Sequence, residues 1–160
     1  MDQPASQFRL EDEYGAFCAL VCISYRGPKM SNFETLTLPN ERTTVAPDGS
    51  DVRVLLSLRR GGMAHFELAA GRTATAVTHR TVEEIWFVLS GSGEMWRKQD
   101  EREEVVNLHP GVCLTIPLGT SFQFRASATS ALFVIAVTMP PWPGDDEAIA
   151  VPGRWPDPSI

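Results

Sequence analysis

From Arg53 to Thr138 the chain repeats one pattern. Short runs rich in Val, Ile, Phe and Thr are cut by Gly, Pro and Asp roughly every ten residues. This spacing predicts strands near 53–58, 63–69, 73–79, 83–90, 93–98, 103–107, 112–116, 121–126 and 131–138. No apolar stripe at helical spacing interrupts them, which excludes a parallel sheet covered by helices. Many short strands without intervening helices close as a sandwich or a barrel, and the jelly roll is one such closure. With 160 residues, 43% of them hydrophobic and 21% charged, the chain can build one domain with its own core and short extensions.

Composition shifts at both ends of this β region. Residues 1–29 read as an N-terminal arm that ends in the breaker Gly27-Pro28, and within it residues 14–25 (YGAFCALVCISY) fit either one helix or one added strand. Residues 30–138 are the expected barrel. Residues 139–160 form a tail rich in proline and tryptophan. Proline forbids regular ladder pairing there, and Trp142 and Trp155 are uncommon in disorder, so the tail is expected to pack on the barrel or on a partner.

The net charge is −6 and the longest basic run is the pair Arg59-Arg60, so the electrostatic footprint of a nucleic-acid binder is absent. The apolar run from Gly15 to Ile23 is too short to span a bilayer and follows Glu11-Asp12-Glu13, unlike a secretory signal with its basic start. No membrane association and a cytoplasmic location are the expectations. Three cysteines, an odd number without framework spacing, agree with that. Cys18 and Cys22 read as small buried apolar groups, since two thiols do not make a zinc site.

Two segments carry an internal frame. In Gly71 to Gly91 (GRTATAVTHRTVEEIWFVLSG), glycine is followed by five residues, Val77, one residue, His79, four residues, Glu84, six residues and glycine. In Gly111 to Ala126 (GVCLTIPLGTSFQFRA), Gly111, Pro117 and Gly119 precede Phe122 and Ala126. These segments resemble the two motifs of the cupin superfamily, and the likeness covers about residues 50–138. The resemblance implies an all-β fold, a double-stranded β-helix or jelly-roll barrel. It also implies that His79 and Glu84 occupy positions which in metal-binding members hold Fe, Mn, Ni, Cu or Zn. The other histidine slots hold Val77 and Phe122, and the asparagine slot holds Ala126.

Side chains alternate along a strand, so one assumption fixes the rest. If Glu84 points inward, as a ligand position does, Trp86 and Val88 also point inward, while Ile85, Phe87 and Leu89 face out. By the same parity Val77 and His79 share one face, and Phe122 and Phe124 point in while Gln123 and Arg125 point out. The expected pocket is therefore lined by Val77, His79, Glu84, Trp86, Phe122 and Phe124. Both faces of the 83–90 strand are apolar, so something covers the outer one: a second subunit, the arm or the tail. A homodimer is the simplest answer.

Catalytic metal sites use at least three protein ligands, and this frame supplies two, His79 and Glu84. His65 is expected to point outward and His109 to sit in a turn. No cofactor is therefore expected. The first functional reading is a small-molecule pocket, metal-free or weakly metal-binding, in which His79 and Glu84 act as an acid–base pair or merely satisfy each other as a buried pair. The second is a metal-dependent enzyme of dioxygenase or isomerase type. It would hold divalent Fe, Mn, Zn or Ni with a substituted ligand such as Glu83 or Gln123. The third is a ligand-sensing module without turnover.

Overall fold

The computed structural model describes residues 32–156. The expected arm, with its helix-or-strand alternative and with Cys18 and Cys22, lies outside the described residues. Strands follow one another as β1 (Thr44–Val45), β2 (Asp51–Leu58), β3 (Gly61–Leu68), β4 (Val77–His79), β5 (Glu83–Ser90), β6 (Gly93–Gln99), β7 (Arg102–Leu108), β8 (Cys113–Ile116), β9 (Ser121–Ala126), β10 (Leu132–Met139) and β11 (Ala148–Ala150). Between β10 and β11 lies one 3₁₀ turn, Asp145–Glu147. No helix among the described residues is long and apolar enough to cross a membrane.

The strands form two antiparallel sheets, β1-β2-β3-β10-β5-β8 and β11-β4-β9-β6-β7. Their inner faces make one core, in which Trp86, Met95, Phe122, Phe124, Leu132 and Val134 are almost fully buried. Strand β5 alternates as the parity argument requires: Glu84, Trp86 and Val88 are buried, and Ile85, Phe87 and Leu89 are exposed by 39%, 45% and 44%. Strand β10, which pairs with β5, repeats the alternation, with Leu132, Val134, Ala136 and Thr138 inside.

One expected strand is shorter than its sequence. Of residues 73–79, only Val77–His79 is laddered, against β9 and β11. The preceding N–H groups go to separate acceptors, Ala74 to the Phe124 carbonyl and Thr75 to the Asp48 carbonyl, so no single neighbour extends the ladder. At the turn after β5, Gly91 has φ 83°, and a Cβ there would collide with the Ala131 carbonyl. Only glycine meets both demands.

The tail leaves β10 and runs along the five-stranded sheet. β11 pairs with β4, placing Ala148 opposite His79, so the expectation that proline forbids ladder pairing in the tail fails over its proline-free stretch 144–151. The Glu147 carboxylate accepts the N–H groups of Thr81 (2.6 Å) and Val82 (2.8 Å) and the Thr81 hydroxyl (2.9 Å). Farther on, the buried Gln123 amide donates to the carbonyls of Ala74 (3.0 Å) and Trp155 (3.1 Å) and accepts the Trp155 N–H (2.8 Å). The Arg125 guanidinium lies 4.5 Å from the Trp155 ring centre, a cation–π contact.

Candidate functional site

At the end of the barrel where β4 and β10 finish and β5 and β9 begin, the two sheets part around a cavity of about 190 Å³. Val77, His79, Glu84, Trp86 and Phe122 line it. Phe124 does not. It points inward but lies deeper, edge-on beneath Trp86 with ring centres 5.0 Å apart. Parity sets the face of a residue and leaves its depth open.

The remaining wall comes from segments outside the two motifs. Asp48 stands in the turn before β2, Phe66 on β3 stacks on Trp86 with ring centres 5.7 Å apart, and the tail supplies Trp142 and Asp145. Sequence reasoning missed Asp48 because Pro47-Asp48-Gly49-Ser50 reads as turn chemistry. It does have that geometry, since Asp48 Oδ1 accepts the Ser50 N–H (2.9 Å) and hydroxyl (2.6 Å). The available signal for Trp142 was an indole in the proline-rich stretch between β10 and β11.

Glu84 and His79 both face the cavity, but no hydrogen bond or ion pair joins them among the described residues. Glu84, 3% exposed, accepts the Trp86 indole N–H at 2.6 Å on Oε2. Burial pushes its carboxyl from 4.5 up to about 7, the indole hydrogen bond pulls against that, and the charge of Asp48 adds to it. Asp48 is itself raised by burial, opposed by its two bonds from Ser50. His79, 7% exposed, stands edge-on to Phe122 and to Trp142, each with ring centres 5.1 Å away. Its Nδ1 is buried without a hydrogen-bond partner. Burial lowers its pKa, and the Glu147 carboxylate and the Val82 backbone offset this in part. The expected buried His79–Glu84 pair is thus two separate groups, each with its own surroundings. Near neutral pH the site holds an uncharged imidazole and a carboxyl poised between its two states, a combination able to accept and to donate protons.

The other candidate ligands are elsewhere. Glu83 is exposed at the start of β5, opposite in parity to Glu84, and Gln123 is committed to the tail. Neither reaches the cavity, so the substituted ligand set fails at both positions. His65 does face away from the cavity, yet it is only 4% exposed, packed against the Phe133 ring. Burial, and then the charge of Arg53, hold its pKa down. His109 is exposed in its turn and accepts no such role. Among the described residues no group of three His, Cys, Asp or Glu side chains could hold a metal ion. The described donor set therefore does not fit the metal site that the motif resemblance implies, because Val77 and Phe122 present hydrocarbon at two of its ligand positions.

Comparison with known proteins agrees with the geometry. The family model described as Cupin domain matches residues 64–138. No curated protein matches the chain. Among solved structures, KdgF from Halomonas sp. shares 18% identity over 63% of this chain and 88% of its own, with a TM-score of 0.53. A conserved protein with a double-stranded β-helix domain from Klebsiella pneumoniae shares 15% identity over 76% of this chain and 100% of its own, with a TM-score of 0.57. Oxalate decarboxylase from Lactobacillus farciminis shares 16% identity over 64% of this chain and 31% of its own, with a TM-score of 0.57. At these identities the likeness establishes the fold alone.

Proposed function

Since the chain belongs to the cupin superfamily through residues 64–138 and yet places Val77 and Phe122 at ligand positions, we propose that it binds a small organic molecule in its aromatic-walled cavity. In this reading the site is metal-free or weakly metal-binding, and Glu84 and His79 handle protons. One observation carries the reading. A carboxyl 3% exposed, held among the described residues by a single indole hydrogen bond and without a cationic partner there, lines an open cavity instead of being packed over. Burying such a group costs several kcal/mol, about 3 here for a pKa moved from 4.5 to about 7. A barrel that only needed a core would place an apolar side chain there.

The cavity is large enough for a ligand with one six-membered ring, since a void of about 150 Å³ admits benzene. Once such a ligand covers Glu84, the protonated carboxyl can give its proton to a basic atom of the ligand. The neutral His79 imidazole can take a proton from an acidic one, its cation then facing the Glu147 carboxylate. Binding without turnover uses the same groups as hydrogen-bond partners.

A ring-containing fragment library, read by saturation-transfer NMR, tests the reading. Fragments that bind the native protein and lose roughly tenfold or more in affinity with both His79→Ala and Glu84→Gln are the expected result. Fragments indifferent to both substitutions, or a library without a single ligand, would overturn it.

A further inference from the structure

The charges around the cavity are one-sided. Among the described residues its carboxyl groups are Asp48, Glu84 and Asp145, and neither lysine nor arginine lines it. Scarcity of cations is not the reason, because the chain has 14 Lys and Arg residues. Several of them neutralise acids elsewhere: Arg42 with Asp51, Arg53 with Glu67, Arg125 with Glu94, Arg154 with Glu103. Among the described residues Asp48 and Glu84 receive only neutral donors, the Ser50 N–H and hydroxyl and the Trp86 indole. Two buried carboxyls that share a low-dielectric space without a counter-ion raise each other's cost of ionising.

The walls match that bias. Phe66, Trp86, Phe122 and Trp142 line the same space, and aromatic rings attract cations most strongly once water is excluded. A second, independent observation comes from His79, which lines the cavity, is 7% exposed, and keeps Nδ1 without a partner. A neutral imidazole nitrogen accepts an N–H hydrogen bond. At the rim stands Asp145, an exposed third carboxylate that draws cations toward the opening. We propose that the ligand is a small organic amine, bound as its ammonium ion between Glu84 and Asp48 with its hydrocarbon against the aromatic walls. The proposal rests on the reading of the cavity as a ligand site and names the chemical class that site selects. The ammonium is the missing counter-ion, and its entry ionises both carboxyls against a charge of opposite sign. An anionic ligand would meet only like charge.

Three probes with one ring and different charge test this: benzylamine, benzyl alcohol and benzoate, measured by isothermal titration calorimetry with the native protein. Benzylamine is expected to bind roughly tenfold or more tightly than benzyl alcohol, with benzoate weaker than both. Glu84→Gln and Asp48→Asn, which keep the acceptors for Trp86 and Ser50, should each abolish the preference for the amine over the alcohol. If benzyl alcohol or benzoate binds as tightly as benzylamine, the amine assignment is wrong while the cavity remains a ligand site. If none of the three binds and the fragment library also yields nothing, both readings fall together.

Discussion

Replacing Glu84 by glutamine removes the ionisable group and keeps its shape and its acceptor for the Trp86 indole. The native carboxyl titrates at about 7 against 4.5 for an unperturbed glutamic acid. Between those two values the folded protein holds a proton that the unfolded chain has released, so stability falls as pH rises through the window. At about 1.4 kcal/mol per pH unit the accumulated loss is roughly 3 kcal/mol, complete once the pH exceeds the folded value. Glutamine carries no such loss. Urea unfolding of the native protein and of Glu84→Gln should therefore give similar free energies near the lower limit of the window. Above its upper limit the variant should gain roughly 3 kcal/mol. Asp48 is also raised by burial, but it is present in both proteins, and its own slope cancels in the difference except for the part exerted through Glu84. A difference between the two proteins that stays constant with pH, or that favours the native carboxyl at high pH, would refute the assignment of Glu84 as a buried acid without a counter-ion.

Other outcomes follow from the same geometry. Val77→His together with Phe122→His adds two imidazoles beside His79 and Glu84, and the double variant is expected to retain about one equivalent of zinc or nickel by elemental analysis. Failure to do so would mean that positions 77 and 122 do not converge on the cavity centre. Hydrogen bonds from Thr81 and Val82, aided by His79, outweigh burial and hold the Glu147 carboxyl below its ordinary value. Its contribution is thus present at neutral pH and lost as pH falls through the folded value. Glu147→Gln should speed amide exchange at Thr81 and Val82 by roughly tenfold while leaving β10 protected, and unchanged exchange would contradict the role of the Glu147 carboxylate in holding these two N–H groups. The tail occupies the five-stranded sheet and so does not cover Ile85, Phe87 and Leu89; of the remaining covers, the arm and a second copy of the chain, we propose the second copy. Light scattering should then show a dimer that Phe87→Lys converts to monomer, and a monomeric native protein would dismiss the idea.

The alternation in EEIWFVLS and LFVIAVTM was enough to orient β5 and β10, because each strand has one buried face and its period is two. The frame glycines marked where the chain turns, as Gly91 illustrates. What the sequence could not convey is contact between distant segments. Asp48 precedes Glu84 by 36 positions and Trp142 follows it by 58, and no local pattern ties them to one cavity. The division of His79 from Glu84 was hidden for the same reason, since each takes its neighbours from elsewhere: Trp142 and the Glu147 charge for the imidazole, the indole of its own strand for the carboxyl. Phe124 exposed a different limit, because alternation says which side a ring occupies and not how far it lies from the opening.

The tail crosses the cavity's opening, held by Gln123 and Glu147 and contributing Trp142 and Asp145. Across from it stands the turn at Asp48, drawn from the opposite end of the described chain. The barrel strands thus act as a fixed socket between two interchangeable jaws. Variation in either jaw can retune which guest is admitted without disturbing a single rung of the scaffold, so divergent taste among proteins of this build need leave no mark on their strands.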